Sequence, residues 1–562
     1  HEIRIPPTIE AILAARLDRL SDGEREVIEQ AATVGRDFDA ADLRAFGGRE
    51  APALEHAIDG LLDNQLIQAT VDGPADYRFH HILVRDAAYA SIPKRRRAGL
   101  HERVAGHIEG MPAGQRGGVY GEIAGEHLER ACILRRELGD GDGEIGDLAH
   151  RAGELLGEAG RRASGLSDFV AARRAYARGE AVVARSDPSR PELLTGFAAA
   201  VFDMGLFAEA KALAQDALDL AERLGATAVC ARAALVRTRA EVLLGDVPIE
   251  DALVDVREMA QEIARTGDDR STVSGWMALS NLSYLAARSA EAAEAADRAV
   301  ALARRTLPAE LPYCLVGLCG TGAHSPMAIP EASARCLDAL SLVQPDTLHA
   351  AMIESRLAYL DGAGGDLQAA DGRFAHVMEV LARHGAEFYE FLTLLDWGSC
   401  ELLAGEFESA ERRLRRARDA AAAFDRAVCG EAAAWHARAL TRVGQHHEAL
   451  EEARRGGAQI SANDVEGDVW WRIAAALALA GIGEPGQGEQ VAREALAIAR
   501  RTDMPHLLGD TLTCLGETLL AQGETAEAAS VIEEAIAVFE AKGMVPAVAG
   551  ARELLASRAS AG

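Results

Sequence analysis

The sequence predicts a mostly α-helical protein in which a small domain of three helices and a β-hairpin precedes a long array of helix-pair repeats. Two observations predict this class. Small residues recur at steps near 40 residues along most of the chain, and aromatic residues make up only 5% of its composition. Because close-packed helices use small residues whereas sheets need β-branched and aromatic ones, this composition favours helices. A chain of 562 residues is also too long for a single core, so several domains or an elongated array are expected.

The first predicted domain spans residues 21–110, after a short segment at residues 1–20. Within it, apolar spacing and turn residues predict three helices and then the two strands of a hairpin, at residues 22–34, 39–46, 51–63, 65–71 and 77–79. Three helices followed by a two-stranded wing are typical of a winged-helix-like domain.

This small domain is not predicted to bind DNA. Its third helix, the one that would enter the major groove, carries Glu55, Asp59 and Asp63 and no basic residue. An acidic helix facing phosphates is unfavourable, and the chain as a whole has a net charge of -28. The basic run KRRR (94–97) is expected to be a solvated face or a contact to an acidic neighbour. We therefore expect no nucleic-acid partner.

Residues 111–150 are predicted to be a helical linker, and residues 151–562 an array of about ten repeats. A small residue follows the turn in each unit, and apolar or small residues follow it four and seven positions later. These turn-following residues are Ala172, Ala210, Ala252, Ala292, Ala332, Ala370, Ala410, Ala449, Gly488 and Ala528. Three columns that hold register over ten units predict an α-solenoid.

The last unit, LGETLLAQGETAEAASVIEEAIAVFEAKG (515–543), has the spacing of a tetratricopeptide-like helix pair. Gly516 lets the two helices approach, Gly523 turns the chain, and Ala528 is expected where the helices touch. The unit at 314–339 is the most irregular, because CGTGAHSPMAIP interrupts its helical pattern. Stacked helix pairs leave an extended concave surface, so a protein or small-molecule ligand is expected on the repeats.

No enzymatic chemistry is predicted within this chain. The eight cysteines form no CxxC pair and no metal-ligand spacing, which favours buried reduced thiols and a cytoplasmic protein without a metal site. The three lysines lie outside any Gly-Lys-Ser/Thr motif, so no phosphate-binding loop is present. Residues far apart in an array are not expected to meet, and no nucleophile set can be assembled. No stretch of 18 apolar residues is present, so no membrane span is expected.

Several aromatic and charged side chains could bind a ligand, but the sequence assigns them structural roles. Trp276, Trp397, Trp435, Trp470 and Trp471 fall in first helices of repeats, where core or groove packing is expected. The stretch ERRLRRARDA (411–420) is expected to bury Leu414 and Ala417 and to expose its arginines. Arg85 and Asp86 are expected to form a helix-surface ion pair.

Four segments resemble consecutive parts of one bacterial family. They are PPTIEAILAARLDRL (6–20), YRFHHILVRDAAYASIPKRRRAGLHERVAGHIE (77–109), GEIAGEHLERACILRRELGD (121–140) and AGELLGEAGRRASGLSDFVAARRAY (152–176). The family comprises multidomain signalling proteins with an AAA/STAND-type ATPase followed by tetratricopeptide repeats, often fused to an adenylate/guanylate cyclase domain. The resemblance implies that residues 1–20 close the ATPase lid and that the enzymatic domains, with bound ATP or ADP, precede His1.

The resemblance also implies a role for His81. In HHILVRDAA it occupies the position where a histidine of related ATPases touches the nucleotide phosphates, although Ile82 stands where Asp usually follows. The family context predicts a regulatory module without a cofactor of its own, whose partners are its ligand and the upstream ATPase domain. Two alternatives remain: the C-terminal part of a nucleotide cyclase, favoured by the end of the chain soon after the last repeat, and the regulatory half of a transcriptional activator.

Overall fold

The computed structural model describes residues 7–70, 75–111 and 118–557, and divides the chain into two compact units. The first unit comprises residues 1–161 and 174–193, and the second comprises residues 162–173 and 194–562. Residues 1–6, 71–74, 112–117 and 558–562 lie outside the described residues. They belong to the predicted N-terminal segment (1–20), the predicted hairpin, the linker (111–150) and the end of the array (151–562). Among the described helices, none combines the length and apolar character needed to cross a bilayer.

The N-terminal domain has the three helices and the hairpin that the sequence predicts. Its elements are α1 Pro7–Leu17, α2 Asp22–Val34, β1 Asp37–Phe38, α3 Ala40–Gly47, α4 Ala51–Asp63, β2 Ile67–Ala69, β3 Tyr77–Phe79, α5 Ile82–Ser91 and α6 Lys94–Gly110. A capping box starts α2, because the Ser21 hydroxyl accepts from the Glu24 N–H at 3.3 Å while the Glu24 carboxylate accepts from the Ser21 N–H at 2.8 Å.

A third strand joins the hairpin in this domain. The sheet order is β1-β3-β2 with both pairings antiparallel, so the central strand is the second strand of the predicted hairpin. The sequence analysis did not identify β1, since its two residues, DF, are too short for an alternating pattern. The buried rings of Phe38 and Phe79 pack edge to face with centroids 5.6 Å apart and place the sheet against the helices.

One helix, α7 Gly118–Glu137, precedes the repeats, and the first repeat consists of α8 Asp142–Gly165 and α9 Phe169–Val182, the helix that carries Ala172. The first helices of the repeats that follow are α10 Arg190–Asp203, α12 Thr227–Leu244, α14 Asp269–Leu285, α16 Leu311–His324, α18 Leu348–Gly364, α20 Glu387–Ala404, α22 Arg426–Arg442, α24 Val465–Gly481, α26 Pro505–Gln522 and α28 Val545–Ser557. The second helices are α11 Phe207–Leu224, α13 Ile249–Thr266, α15 Ser289–Thr306, α17 Ile329–Leu340, α19 Leu367–His384, α21 Phe407–Ala421, α23 His446–Gln459, α25 Pro485–Ala499 and α27 Thr525–Lys542.

Burial agrees with the predicted repeat columns. All ten turn-following residues are buried, and so are all ten residues four positions later. Nine of the ten residues seven positions later are buried, and the tenth, Met259, is half-buried. The small residues are needed for close approach: a Cβ added at Gly516 would come within 2.5 Å of Ile532. The turn glycine Gly523 has φ of 83°, a left-handed conformation that ends its helix at little steric cost.

The solenoid of the second unit also contacts itself over long sequence separations. Five side chains form hydrogen bonds with residues 213–221 positions earlier, and we call four of them the winding contacts: Asp425, Asn463, Asp503 and Lys542. The fifth, Ser461, donates to the Val242 carbonyl at 3.4 Å. The expectation that distant residues of the array do not meet is therefore wrong. It treated the array as linear, whereas the small rotation between successive repeats accumulates until one winding packs on the next.

Three winding contacts cap helices that have no side-chain cap of their own. Asp503 accepts from the N–H groups of Ser289 and Ala290 at 2.6 and 2.8 Å, at the start of α15. Asn463 accepts from the N–H of Ile249 at 2.9 Å, at the start of α13, and Asp425 accepts from the N–H of Ala208 in α11 at 3.2 Å. An orphan N–H group of each helix is thus satisfied from the next winding.

The fourth winding contact supports the irregular unit. The ammonium of Lys542 donates to the carbonyls of Ser325 and Met327, each at 2.6 Å, and only 3% of the residue is exposed. These carbonyls lie in the link between α16 and α17, within the motif CGTGAHSPMAIP. Both glycines of the motif fall inside α16, so the link itself has no turn glycine. Burial lowers the pKa of Lys542 to about 8. Lys542, at the end of α27, thus stabilises the link of the irregular unit through two hydrogen bonds.

Candidate ligand-binding site

A cavity of about 600 Å³ lies within the second unit and is lined mainly by first helices of repeats. Its walls come from α16, α18, α20, α22, α24, α26 and α28, with a few residues of α21 and α27. The volume is in the range of small-molecule sites in proteins. The cavity combines an aromatic wall, a histidine-containing wall and several charged groups.

The aromatic wall is formed by Trp435 and Trp470, whose ring centroids are 4.8 Å apart. The guanidinium of Arg438 lies over both rings, 4.6 and 4.3 Å from their centroids. Asp510 accepts a 2.6 Å bond from Arg438 Nη2, whereas Arg438 Nη1 is buried without a hydrogen-bond partner among the described residues. An arginine that lies over two adjacent indoles is a rigid recognition surface, because the cation–π contacts and the ion pair both restrict its guanidinium.

The histidine-containing wall joins three repeats. The Glu466 Oε1 atom lies 2.9 Å from His506 Nε2 and 3.9 Å from His324 Nδ1. The Tyr284 hydroxyl is 3.3 Å from the same His324 nitrogen, and the Tyr359 ring stacks on His324 with centroids 4.9 Å apart. Burial, and then the neighbouring His506, lowers the pKa of His324 well below its usual value, so this imidazole is neutral at pH 7.

Charged groups around the cavity are unevenly balanced. Five carboxylates and two guanidinium groups line it: Asp396, Glu466, Asp510, Glu517, Glu553, Arg438 and Arg442. Arg442 forms two 2.8 Å bonds to Glu517, and Asp396 lies 2.9 Å from Arg356 behind the wall. The lining therefore carries an excess of negative charge, which favours a neutral or cationic ligand over an anionic one.

Carboxyl groups near the histidine-containing wall are difficult to ionise. Burial, with repulsion from Asp464 and Glu466, raises the pKa of Glu431 well above its usual value. Burial, together with the charges of Glu466 and Asp468, also raises the pKa of Asp464 to about 7, although the bond from the Gly467 N–H opposes this rise. Perturbed carboxyl groups that cluster beside a cavity are typical of functional sites.

The sequence analysis named two residues of this site, Trp435 and Trp470, but assigned them to packing. The other three tryptophans do not line the cavity: Trp276 stacks with Arg298, Trp397 with Phe374 and Arg413, and Trp471 with Arg472.

The remaining site residues could have been found from spacing. Tyr284–His324, Arg356–Asp396 and Glu466–His506 each pair residues 40 positions apart, because equivalent positions on successive first helices face each other. Complementary polar residues one repeat apart were therefore the missed signal.

His81 lies at the start of α5 in the N-terminal domain. Its Nδ1 accepts a 3.1 Å bond from the Leu83 N–H, so it caps the helix at the corner after β3, and its side chain is exposed. The structure thus shows a helix-capping role for His81, and the nucleotide-sensing role remains a prediction. Arg85 and Asp86 form the expected ion pair at 3.0 Å.

The acidic residues of α4 and the basic run KRRR (94–97) have the surroundings that the sequence analysis expected. Glu55, Asp59 and Asp63 on α4 are all exposed. In the basic run, Lys94 lies 3.1 Å from Glu137 and Arg96 lies 2.8 Å from Glu29. Acidic neighbours within the same unit thus neutralise part of this run.

Comparisons with known proteins add fold neighbours without identifying a family. No family model matches the chain, and no curated protein matches it significantly. A STAND-class signal-transduction ATPase with a tetratricopeptide repeat sensor from Pyrococcus horikoshii is 13% identical with a TM-score of 0.38; the match covers 94% of this chain and 65% of that protein.

Two further solved structures are similar at the same level. A Rap protein complexed with Competence and Sporulation Factor is 15% identical with a TM-score of 0.41, over 58% of this chain and 92% of that one. The Cut9 and Hcn1 tetramer of the APC/C is 12% identical with a TM-score of 0.33, over 82% of this chain and 94% of the other. The described residues themselves show a mostly α-helical protein with a solenoid of helix pairs.

Proposed function

We propose that this chain is the non-catalytic sensor module of a cytoplasmic bacterial signalling ATPase. A ligand binds in the cavity of the second unit, and its occupancy changes the activity of an upstream ATPase domain. The single observation that carries the sensor role is the cavity, which presents two adjacent indoles, an arginine lying over both of them and several charged groups. The ATPase connection is supported by the resemblance of residues 1–180 to that family.

The chemistry of the walls defines the class of ligand. The excess of carboxylates favours a neutral or cationic group, and the Trp435–Trp470 pair favours a flat or apolar portion. A small amine, or a short peptide with a basic residue, fits both requirements. Signal transfer requires that the ligand bind two states of the protein with different affinities, since equal affinity shifts no equilibrium.

The test is a thermal-shift screen of the purified chain against small amines and short basic peptides, followed by calorimetry of the hits. Trp470→Ala removes half of the aromatic wall, so a true hit should lose at least tenfold in affinity. Trp471→Ala is the matched control, because this neighbouring indole does not line the cavity. Hits that bind both variants equally would place the ligand elsewhere and contradict the proposal.

A further inference from the structure

The histidine-containing wall has the composition of a transition-metal site. His324, Glu466 and His506 each offer one donor atom, and these atoms lie within 4.8 Å of one another. No other group of this kind occurs within the described part of the chain. Two imidazoles and one carboxylate form a ligand set that zinc uses in proteins, with an open position for water or a ligand.

The distances agree with a shared ion. Two donors of a tetrahedral zinc ion, each about 2.1 Å from the metal, lie about 3.4 Å apart. The observed separations from Glu466 Oε1, 2.9 Å to His506 Nε2 and 3.9 Å to His324 Nδ1, fall on either side of that value. Small side-chain rotations would therefore bring the three donors to a common centre.

The burial of the two histidines favours a metal. Only 8% of His324 and 6% of His506 are exposed, and one nitrogen of each ring, His324 Nε2 and His506 Nδ1, is buried without a hydrogen-bond partner among the described residues. The nitrogens nearest the carboxylate are the other two, His324 Nδ1 and His506 Nε2, which face Glu466 Oε1. A partly buried carboxylate beside two buried imidazoles favours a coordinated cation, since buried charges are paired or bind metals.

The surrounding charges are compatible with a cation. Two cations, Arg356 and Lys542, act on His324. Arg356 is paired with Asp396 at 2.9 Å, and Lys542 donates to the carbonyls of Ser325 and Met327. The cavity beside the three residues is lined by five carboxylates and two guanidinium groups, an excess of negative charge that favours a divalent ion.

We propose that His324, Glu466 and His506 bind one zinc ion. The ion joins α16 to α24 and α26, and so links helices that are up to 182 residues apart. It leaves one coordination position towards the cavity. The site does not depend on the proposed sensor role, because metal binding and ligand binding are measured separately.

The experiment titrates the metal-free full chain with zinc in a calorimeter and with cobalt in a spectrophotometer. We expect one ion per chain, a visible cobalt band of tetrahedral intensity that zinc abolishes, and a higher melting temperature with zinc. Glu466→Gln and His506→Gln should each weaken zinc binding at least tenfold. His376→Gln is the control, since His376 also contacts a glutamate, Glu354, at 2.9 Å but lies outside the cluster and is partly exposed.

X-ray absorption of the zinc-loaded wild-type protein provides a test that does not depend on how the variants fold. Scattering from two imidazoles with additional oxygen ligands supports the site. Absence of stoichiometric binding, absence of imidazole scattering, or equal affinity in the Glu466→Gln and His376→Gln proteins would overturn it.

Discussion

At the scale of single residues, the histidines of the N-terminal part occupy contrasting environments. His81 caps α5 from an exposed position, whereas His101 and His127 form a buried pair in which their Nδ1 atoms are 2.7 Å apart. The Tyr89 hydroxyl lies 2.8 Å from the other nitrogen of His101. The same residue type thus serves in capping and in a buried hydrogen-bond network, and each role has its own test.

The two roles of His81 can be separated by substitution. His81→Asn keeps a capping oxygen but removes the imidazole, so α5 should stay as protected from hydrogen exchange as in the wild type. His81→Ala should lose the cap and about 0.5–2 kcal/mol of local stability. If His81 senses phosphates, both variants should alter nucleotide exchange in a protein that includes the ATPase. Normal exchange in the Asn variant would show that capping is the whole role.

The pair His101 and His127 predicts acid sensitivity of the N-terminal domain. Burial, together with the neighbouring His127 and Arg130, lowers the pKa of His101 to about 3, and burial lowers the pKa of His127 to about 4. Both pKa values are below the unfolded value of 6.5, so the unfolded chain binds more protons in this range. Their stabilising contribution is complete above pH 6.5 and falls as the pH drops towards 4.

Hydrogen exchange of α6 and α7, corrected for intrinsic rates, should therefore accelerate between pH 7 and pH 5. His127→Asn should make this dependence shallower, because it removes one buried titrating ring. His56→Asn, at an exposed position on α4, should leave the dependence unchanged. An identical pH dependence in the His127→Asn protein would refute the assignment.

At the scale of elements, the repeat register decides which changes the helices tolerate. Ala410 on α21 is fully buried and follows the turn at Gly405, whereas Ala420 on the same helix is exposed. Ala410→Leu should overpack the contact and cost about 1–3 kcal/mol. Ala420→Leu should change stability by less than about 0.5 kcal/mol. Denaturant unfolding compares the two variants, and the opposite order would mean that the register is wrong.

The location of the damage in Ala410→Leu is also defined. Leu414 and Ala417 of α21 belong to one apolar cluster with Val201, Phe202 and Phe207. Faster hydrogen exchange should therefore extend to the start of α11, about 200 residues away in sequence, as well as to α20 and α22.

The winding contacts make a second prediction for the helices. Asp503→Ala removes the acceptors for the first N–H groups of α15, so exchange there should accelerate although the change lies 214 residues away. Asp366 is the matched control, because it caps its own helix, α19, through the Ala369 N–H at 2.9 Å. Asp366→Ala should accelerate exchange only in α19. Protection of α15 that survives in Asp503→Ala would argue against contact between windings in solution.

At the scale of the whole molecule, net charge governs which macromolecules can bind. With a net charge of -28 and a partly neutralised basic run, the chain should show no sequence-dependent binding to duplex DNA at physiological salt. A gel shift over a panel of duplexes measures this. Specific retardation that disappears when Arg95 and Arg97 are changed to Ala would contradict the prediction and identify the surface responsible.

More of the fold than of the candidate site could be predicted from the sequence. Helix-pair periodicity is local, so the columns at Ala410, Leu414 and their equivalents indicate which faces are buried. The cavity depends on how far each repeat rotates against the next, and this small angle accumulates over five or more units. His324, Glu466 and His506 therefore meet through geometry that no single repeat encodes, although the 40-residue spacings of Tyr284 to His324 and of Glu466 to His506 were a partial signal.

The winding contacts place a condition on the lengths of the repeats. The bonds made by Asp425, Asn463, Asp503 and Lys542 span nearly constant separations of 213–221 residues. Because individual repeats differ in length, the quantity that stays nearly constant is the total number of residues in one winding. An insertion in one loop would misalign every contact whose two ends lie on either side of that loop, unless a deletion within the same winding compensates for it. Tolerated insertions and deletions in this array should therefore occur as balanced pairs, which can be tested by combining a one-residue insertion with a deletion two repeats away.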